Sequence, residues 1–331
     1  MASRVIGVEI AEESIRAVEV RAGRSPLLVA AGEVLLPPGA ARDSEVLDTE
    51  AVVLALNQLW AQAGFRQRNV VLSVANRRLL VREYTAPNLP RAQLMAALPY
   101  EVQDLLPVPA DRAVIDFYPL SVENRSAHGL LVAGAADGIE GLIAALRAAR
   151  IRVDAVDFLP FGLARSLARI VPRGSGPMAV AAVGEHTTSF TVVTDGIPGY
   201  VRIVPVDVLA GLHALMASAG EFGDGGPSGT AGRGLPGSPP FDSSLDELVG
   251  RIRETIQFCR RGGTAGAPRA LFVTGALATV PEVQAALSEG IDLDVHLLLP
   301  GDIVPSARRL AGFELPSSLV GALGVTLGVT K

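Results

Sequence analysis

Val5-Ile6-Gly7-Val8-Glu9-Ile10-Ala11-Glu12-Glu13-Ser14-Ile15-Arg16-Ala17-Val18-Glu19-Val20 carries the pattern of two strands joined by a tight turn. Residues 5–10 are apolar apart from one acid, Glu9, which suits a strand buried on both faces. Ala11-Glu12-Glu13 supplies a turn. Ile15, Ala17, Val18 and Val20 then read as a second strand, with Arg16 and Glu19 as polar breaks. After another turn at 21–26, residues 27–36 give a third strand. Val52, Leu56, Leu59 and Ala63 recur at helical spacing, and Gly64 stops that helix.

Half a chain later the same order returns. Residues 178–184 are an apolar strand, Glu185-His186-Thr187 a turn, and residues 189–194 a second strand. Asp195-Gly196 is a hairpin signal, and residues 200–204 are a third strand. A helix is expected over 206–218. Strand–turn–strand–turn–strand–helix therefore occurs twice, which reads as an internal duplication.

Residues 70–150 separate the copies. Strands are expected at 70–74 and 79–84. Pro90 suits the first turn of a helix, and Pro99 is expected to kink or restart it. Strands follow at 113–120 and 130–135. Asp137 and Glu140 have capping-box spacing for a helix carrying Ile139, Ile143 and Leu146. Two strand pairs with two helices predict a small α+β insertion.

Past the second copy, residues 221–240 are dominated by Gly, Pro and Ser and are expected to be a mobile loop. Leu245, Leu248, Ile252 and Ile256 form a helical stripe. A strand at 270–273, a helix from Pro281, a strand at 295–299 and a helix over 316–328 complete the chain.

The 331 residues carry a formal net charge of −5 and are 49% hydrophobic and 19% charged, the balance of a globular chain long enough for two or three cores. No long basic stripe marks a nucleic-acid binder. The one cysteine, Cys259, excludes an internal disulfide and a Cys-rich zinc site. His128, His186, His213 and His296 are scattered singly, with no metal-binding spacing. No signal peptide and no transmembrane run is expected. Gly324 and Gly328 have the spacing of membrane helix dimers, but so short a segment reads as a closely packed core helix. Trp60 reads as core. A hydrolase elbow and a P-loop are both missing. No catalytic residue and no metal site is assigned.

Gly7-Val8-Glu9-Ile10-Ala11-Glu12-Glu13-Ser14-Ile15-Arg16 resembles the first phosphate motif of the PilM family of type IV pilus assembly proteins, members of the actin-like superfold related to FtsA. Ala182-Val183-Gly184-Glu185-His186-Thr187-Thr188 resembles the second, and Val273-Thr274-Gly275-Ala276 the adenosine motif. In the insertion, Tyr84-Thr85-Ala86-Pro87, Tyr100-Glu101-Val102-Gln103, Pro107-Val108-Pro109 and Val114-Ile115-Asp116-Phe117-Tyr118 are similar to a run the family carries at that place.

The resemblance implies an α/β fold of duplicated actin-like (ribonuclease H-like) domains around a cleft, with a small α+β insertion in the first half. Residues 1–74 would be the first subdomain and 75–150 the insertion. Residues 151–177 would return to the first subdomain, and 178–331 would form the second. It implies ATP with Mg²⁺ near Glu9, Ser14, Arg16, Gly184, Glu185, Thr187 and Gly275, with Glu12 beside them. Against this, Glu9 and Ala182 stand where the family has Asp, Ala11 where it has Gly, and Thr274 where it has an adenosine-motif glycine. Arg251 and Glu254 have exchanged charges and at this spacing could pair. Lost metal ligands and added methyl groups predict weak nucleotide binding or none.

The resemblance also implies a cytoplasmic scaffold, peripheral to the inner membrane through its partners. It would hold the N-terminal tail of a PilN-like membrane protein, with other inner-membrane pilus components nearby and a homo-oligomer left open. Leu80, Arg82, Tyr100, Glu101, Ile115 and Phe117 are the candidate groove residues. The alternatives are an active actin-like ATPase, an FtsA-like division filament and a GspL-like secretion component. A basic amphipathic terminal helix would favour the second of these and a transmembrane helix the third, and neither pattern is seen.

Overall fold

The computed structural model describes residues 3–43, 45–75, 78–212, 241–262 and 265–328. The Gly/Pro/Ser-rich loop at 221–240, the expected helix beyond residue 212 and His213 lie outside the described residues.

The opening stretch folds as the alternation and turns require. β1 (Arg4–Ile10), β2 (Ser14–Arg21) and β3 (Leu27–Leu35) form an antiparallel meander. A short hairpin, β4 (Ala41–Arg42) and β5 (Glu45–Val46), leads to α1 (Thr49–Ala63). Asp48 caps α1 by accepting the Ala51 N–H at 3.0 Å, and Gly64 ends it in the left-handed region at φ 69°. β6 (Asn69–Val74) runs parallel to β1 on the side away from β2. β10 (Arg152–Phe158) runs parallel to β6, giving the sheet order β10-β6-β1-β2-β3.

The second half repeats this layout strand for strand. β11 (Met178–Val183), β12 (Thr187–Thr194) and β13 (Ile197–Pro205) are the meander. β14 (Ala270–Thr274) and β15 (Asp294–Leu297) add in parallel, in the order β13-β12-β11-β14-β15. Asp195 and Gly196 both take positive φ in the β12–β13 turn, as a two-residue hairpin demands. This is a duplicated actin-like architecture, the one the resemblance implies.

Between the halves, β7 (Leu80–Pro87), β8 (Ala113–Glu123) and β9 (Ser126–Ala135) make a separate antiparallel sheet, β7-β9-β8. α2 (Arg91–Glu101) lies across one of its faces, over Ala86, Phe117, Ala127 and Leu131. Three local expectations change here. The strand at 70–74 belongs to the first sheet, so the insertion has three strands of its own. α2 passes through Pro99 without a break, because Pro99 sits in the last turn, where only one intrahelical bond is forfeited.

The third change concerns α3 (Ala136–Ala148), which has no capping box. Ala135 occupies the cap, and Asp137, already inside the first turn, pairs with Arg112 at 2.5 Å. α3 was expected within the insertion. Its Leu142, Ala145 and Leu146 are instead buried with Leu56, Leu59 and Trp60 of α1 in the core of the first half. The separate lobe thus ends at β9.

α4 (Leu159–Ile170) and the last helix join the halves. Of the C-terminal helices, α5 (Phe241–Arg260) buries Leu248, Ile252 and Ile256 on the second sheet. α6 (Pro281–Gly290) and the short α7 (Pro300–Ile303) follow. α8 (Val320–Thr326) is buried throughout. A Cβ on Gly324 would lie 2.4 Å from the Gly162 carbonyl oxygen of α4, so the glycine serves a close crossing of two helices inside the chain. Val18 of β2, Leu163 of α4, Val180 of β11 and Leu323 of α8 share one core. The halves therefore meet through an apolar wall behind the cleft.

Candidate functional site

The cleft lies where the two meanders turn toward each other. In the register of the first sheet, Glu9 of β1 is opposite Arg16 of β2, and Arg16 is opposite Glu33 of β3. Three charged side chains are thereby set in one row. Arg16 is only 3% exposed. Its Nε donates to Glu33 Oε1 at 2.8 Å, and its Nη1 stands 3.5 Å from Glu9 Oε1. Its Nη2 crosses the cleft to donate to Glu185 Oε1 on the β11–β12 turn. Glu33 also accepts from Ser14 Oγ at 2.8 Å and from Ser318 Oγ at 2.7 Å.

Charges so enclosed are set by competition between burial and partners. Burial works to lower the Arg16 value, but Glu185, Glu9 and Glu33 outweigh it and hold the guanidinium charged. Burial also pulls Glu33 up, but Arg16 and the hydroxyls of Ser318 and Ser14 bring it below the ordinary range. Glu9 goes the other way. Burial, reinforced by the negative Glu185 and Glu33, pushes it up to about 7 despite Arg16. Glu9 Oε2 is sealed from solvent without a hydrogen-bond partner, and it points at Gly321, where a Cβ would lie 2.3 Å away. Gly321 of α8 leaves the space this longer acid needs.

A second bridge spans the turns. His186 Nε2 sits 3.2 Å from Glu13 Oε1 across the cleft, and its Nδ1 sits 3.1 Å from Asp207 Oδ1 on its own side. Burial lowers the imidazole value, but bonding to Glu13 and the charges of Glu12 and Asp207 raise it above 6.5 overall.

Of the residues assigned to a nucleotide, Glu9, Arg16, Gly184, Glu185, Thr187 and Gly275 line this one cleft. Ser14 is buried behind it on Glu33. The glycines have packing duties. A Cβ on Gly275 would come within 2.5 Å of the Val183 carbonyl oxygen, and one on Gly184 within 2.7 Å of that of Thr187. A magnesium nucleotide does not fit this arrangement. The Arg16 guanidinium is already held by the carboxylates of Glu9, Glu33 and Glu185, and Glu12 and Asp43 add two more acids to the lining. Polyphosphate would meet net negative charge. Among the described residues no group of three or more His, Cys, Asp or Glu is set to hold a metal ion. Arg251 pairs with Glu247 at 3.4 Å, one turn back, and not with Glu254.

The second set of candidates lies on the three-stranded lobe. Leu80 and Ile115 both pair with Ala133 of β9, while Arg82 and Phe117 both pair with Leu131. All four therefore share one face. Phe117 is 2% exposed beneath α2 and forms a T-shaped pair with Tyr84, so it serves the lobe's own core. Leu80 and Ile115 are half-buried and Arg82 is exposed. Tyr100, 79% exposed, and Glu101 occupy the last turn of α2, where Glu101 accepts from the Tyr84 hydroxyl at 3.3 Å.

Glu33, Glu13 and Ser318 belong to the cleft but were not picked out from sequence. Glu33 could have been found by pairing β2 with β3 residue by residue, since opposite charges fall in register. Ser318 had no such signal, because it meets Glu33 from 285 positions away.

Residues 7–204 match the family model described as type IV pilus assembly protein PilM. Among solved structures, the PilM-PilN type IV pilus biogenesis complex aligns over 100% of both chains with a TM-score of 0.82 and 21% identity. The ethanolamine utilization protein EutJ from Carboxydothermus hydrogenoformans aligns over 98% of this chain and 89% of its own, with a TM-score of 0.52 and 13% identity.

Proposed function

Because the chain belongs to the PilM family of type IV pilus assembly proteins, we propose that it is a cytoplasmic scaffold holding the N-terminal tail of a PilN-like membrane protein. The tail would lie between the three-stranded lobe and the first half. The observation that carries this reading is the uneven cover of the lobe's face. α2 packs over Ala86, Phe117 and Leu131, whereas Leu80, Ile115 and the exposed Arg82, on that same face, are left only partly covered. β7 and β8 are both outer strands of their sheet. An extended peptide laid there would gain main-chain hydrogen bonds from an edge and side-chain pockets from the half-covered strip.

A synthetic peptide of the PilN-like tail tests the reading by fluorescence anisotropy. Saturable binding is expected in the micromolar range or tighter. Arg82→Glu and Tyr100→Ala, both at exposed positions, should weaken it about tenfold, roughly 1.4 kcal/mol. No binding at high micromolar peptide would remove the proposal.

The scaffold acts without turnover in this reading, because the cleft's cation is already paired. Magnesium-ATP should leave the unfolding midpoint where it is. A ligand at a hundred times its Kd would add about 2.7 kcal/mol and raise the midpoint visibly.

A further inference from the structure

We propose that the end of the first half remote from the cleft docks electrostatically on a membrane surface rich in anionic phospholipid. β1, β6 and β10 run parallel, so their starts share one end of the sheet, and Glu9 of the cleft lies at the other. That starting end carries arginines from four separate segments. Arg4, Arg66 and Arg309 line one shallow depression, and Arg147, Arg150 and Arg152 line another. Arg68 connects them. Its Nη1 donates to the Ala149 carbonyl at 2.9 Å, and its own carbonyl accepts the Arg152 N–H at 2.7 Å.

Carboxylates are scarce on this face. Arg4 pairs with Glu19 at 3.0 Å and Arg152 with Asp154 at 3.1 Å. Arg66, Arg147 and Arg150 are exposed and have no carboxylate within ion-pair distance among the described residues. The loop 64–69 and the second half of α3 contain no acid at all. Among the described residues only Glu19 and Asp154 form ion pairs with these seven guanidiniums, on a chain whose formal net charge is −5.

The layout selects the partner. Guanidinium forks bind phosphodiester oxygens in pairs, and the positive end spreads over a face. The nearby aromatic rings, Trp60 and Phe65, are buried at 3% and 7% exposure and offer no platform for stacking bases. A field of phosphate headgroups needs only spread positive charge, which these four segments provide. The inference stands independently of the tail groove.

Sedimentation of the full chain with vesicles tests it. Vesicles of phosphatidylcholine mixed with phosphatidylglycerol should retain at least about tenfold more protein than phosphatidylcholine alone. The retention should disappear between about 0.1 M and about 1 M salt, as the screening length falls from ~10 to ~3 Å. The triple variant Arg66→Glu, Arg147→Glu, Arg150→Glu should abolish it with the unfolding midpoint essentially unchanged, since none of the three is paired. Reversing Arg125, Arg173 and Arg261, exposed elsewhere, should not abolish it. Equal retention on neutral vesicles, or full retention of the first triple variant, would overturn the proposal. So would stronger capture by double-stranded DNA than by the anionic vesicles at the same salt.

Discussion

Arg16 and Glu9 show how a residue type at a strand end can trade one role for another. Arg16 directs its donors to three glutamates, and Glu9, one methylene longer than an aspartate, reaches the gap that Gly321 leaves. The consequence is a pH dependence with a defined sign. Glu9 rises from 4.5 to about 7 on folding, so the folded chain holds that proton more tightly. The stability this provides is complete below about 4.5 and is lost as pH climbs through about 7. His186, raised above 6.5, has the same sign and loses its share as pH passes its folded value. Glu33, lowered below 4.5, acts oppositely and matters only at acid pH. The unfolding midpoint is therefore expected to fall by several degrees from pH 6 to pH 8. Glu9→Gln should flatten the part below pH 7 and His186→Ala the part above 6.5. Differential scanning fluorimetry across that range decides it, and a midpoint that is level or rising contradicts the assignment. Glu9, Arg16 and Glu185 were legible in the sequence only through the resemblance of their two turns to phosphate motifs, as contacts to a nucleotide. Their pairing with one another was not, since nothing local tells an arginine that Glu185 will face it.

At the scale of elements, legibility followed periodicity and stopped where a partner element decides. The strands of both meanders, α1 with its Gly64 stop and the stripe of α5 are local patterns, and they form close to where alternation and helical spacing put them. α3 was misplaced because its apolar face reads the same whether it covers the insertion or α1. Only the tertiary packing of Leu142, Ala145 and Leu146 settles that. Glycines divide in the same manner. Gly7 appears in a phosphate-like motif, yet a Cβ there would sit 2.0 Å from the Ala322 carbonyl oxygen, so its role is to let α8 lie against β1. Gly7→Ala is expected to cost about 1–3 kcal/mol through overpacking. Gly141, inside α3 with nothing within 4 Å of an added Cβ, should do the reverse. Gly141→Ala should stabilise by about 1 kcal/mol from helix propensity. Urea titration of both variants checks the pair, and a neutral Gly7→Ala would mean that α8 does not pack as described.

For the molecule as a whole, duplication was readable because each copy is a self-contained local pattern, while the closure of the cleft depends on residues more than a hundred positions apart. The two halves share an apolar wall behind the cleft, through α4 and α8, and an ionic clasp across its mouth. Arg16 to Glu185, and His186 to Glu13 and Glu12, are the members of that clasp that cross between the halves. Such pairs tie the turn of one meander to the turn of the other across the cleft. Arg16→Met should cost about 3–5 kcal/mol, because it leaves Glu9, Glu33 and Glu185 facing one another in a buried space. Glu185→Gln should cost less, since it removes one acid from an excess. The test is the double variant. If the clasp joins the halves, the two changes should be non-additive by about 0.5–3 kcal/mol, with Glu185→Gln easing part of the Arg16→Met defect. Simple additivity in denaturant titrations would show that Arg16 serves the first sheet alone, held by its register partners Glu9 and Glu33, and that the halves are kept together by the apolar wall.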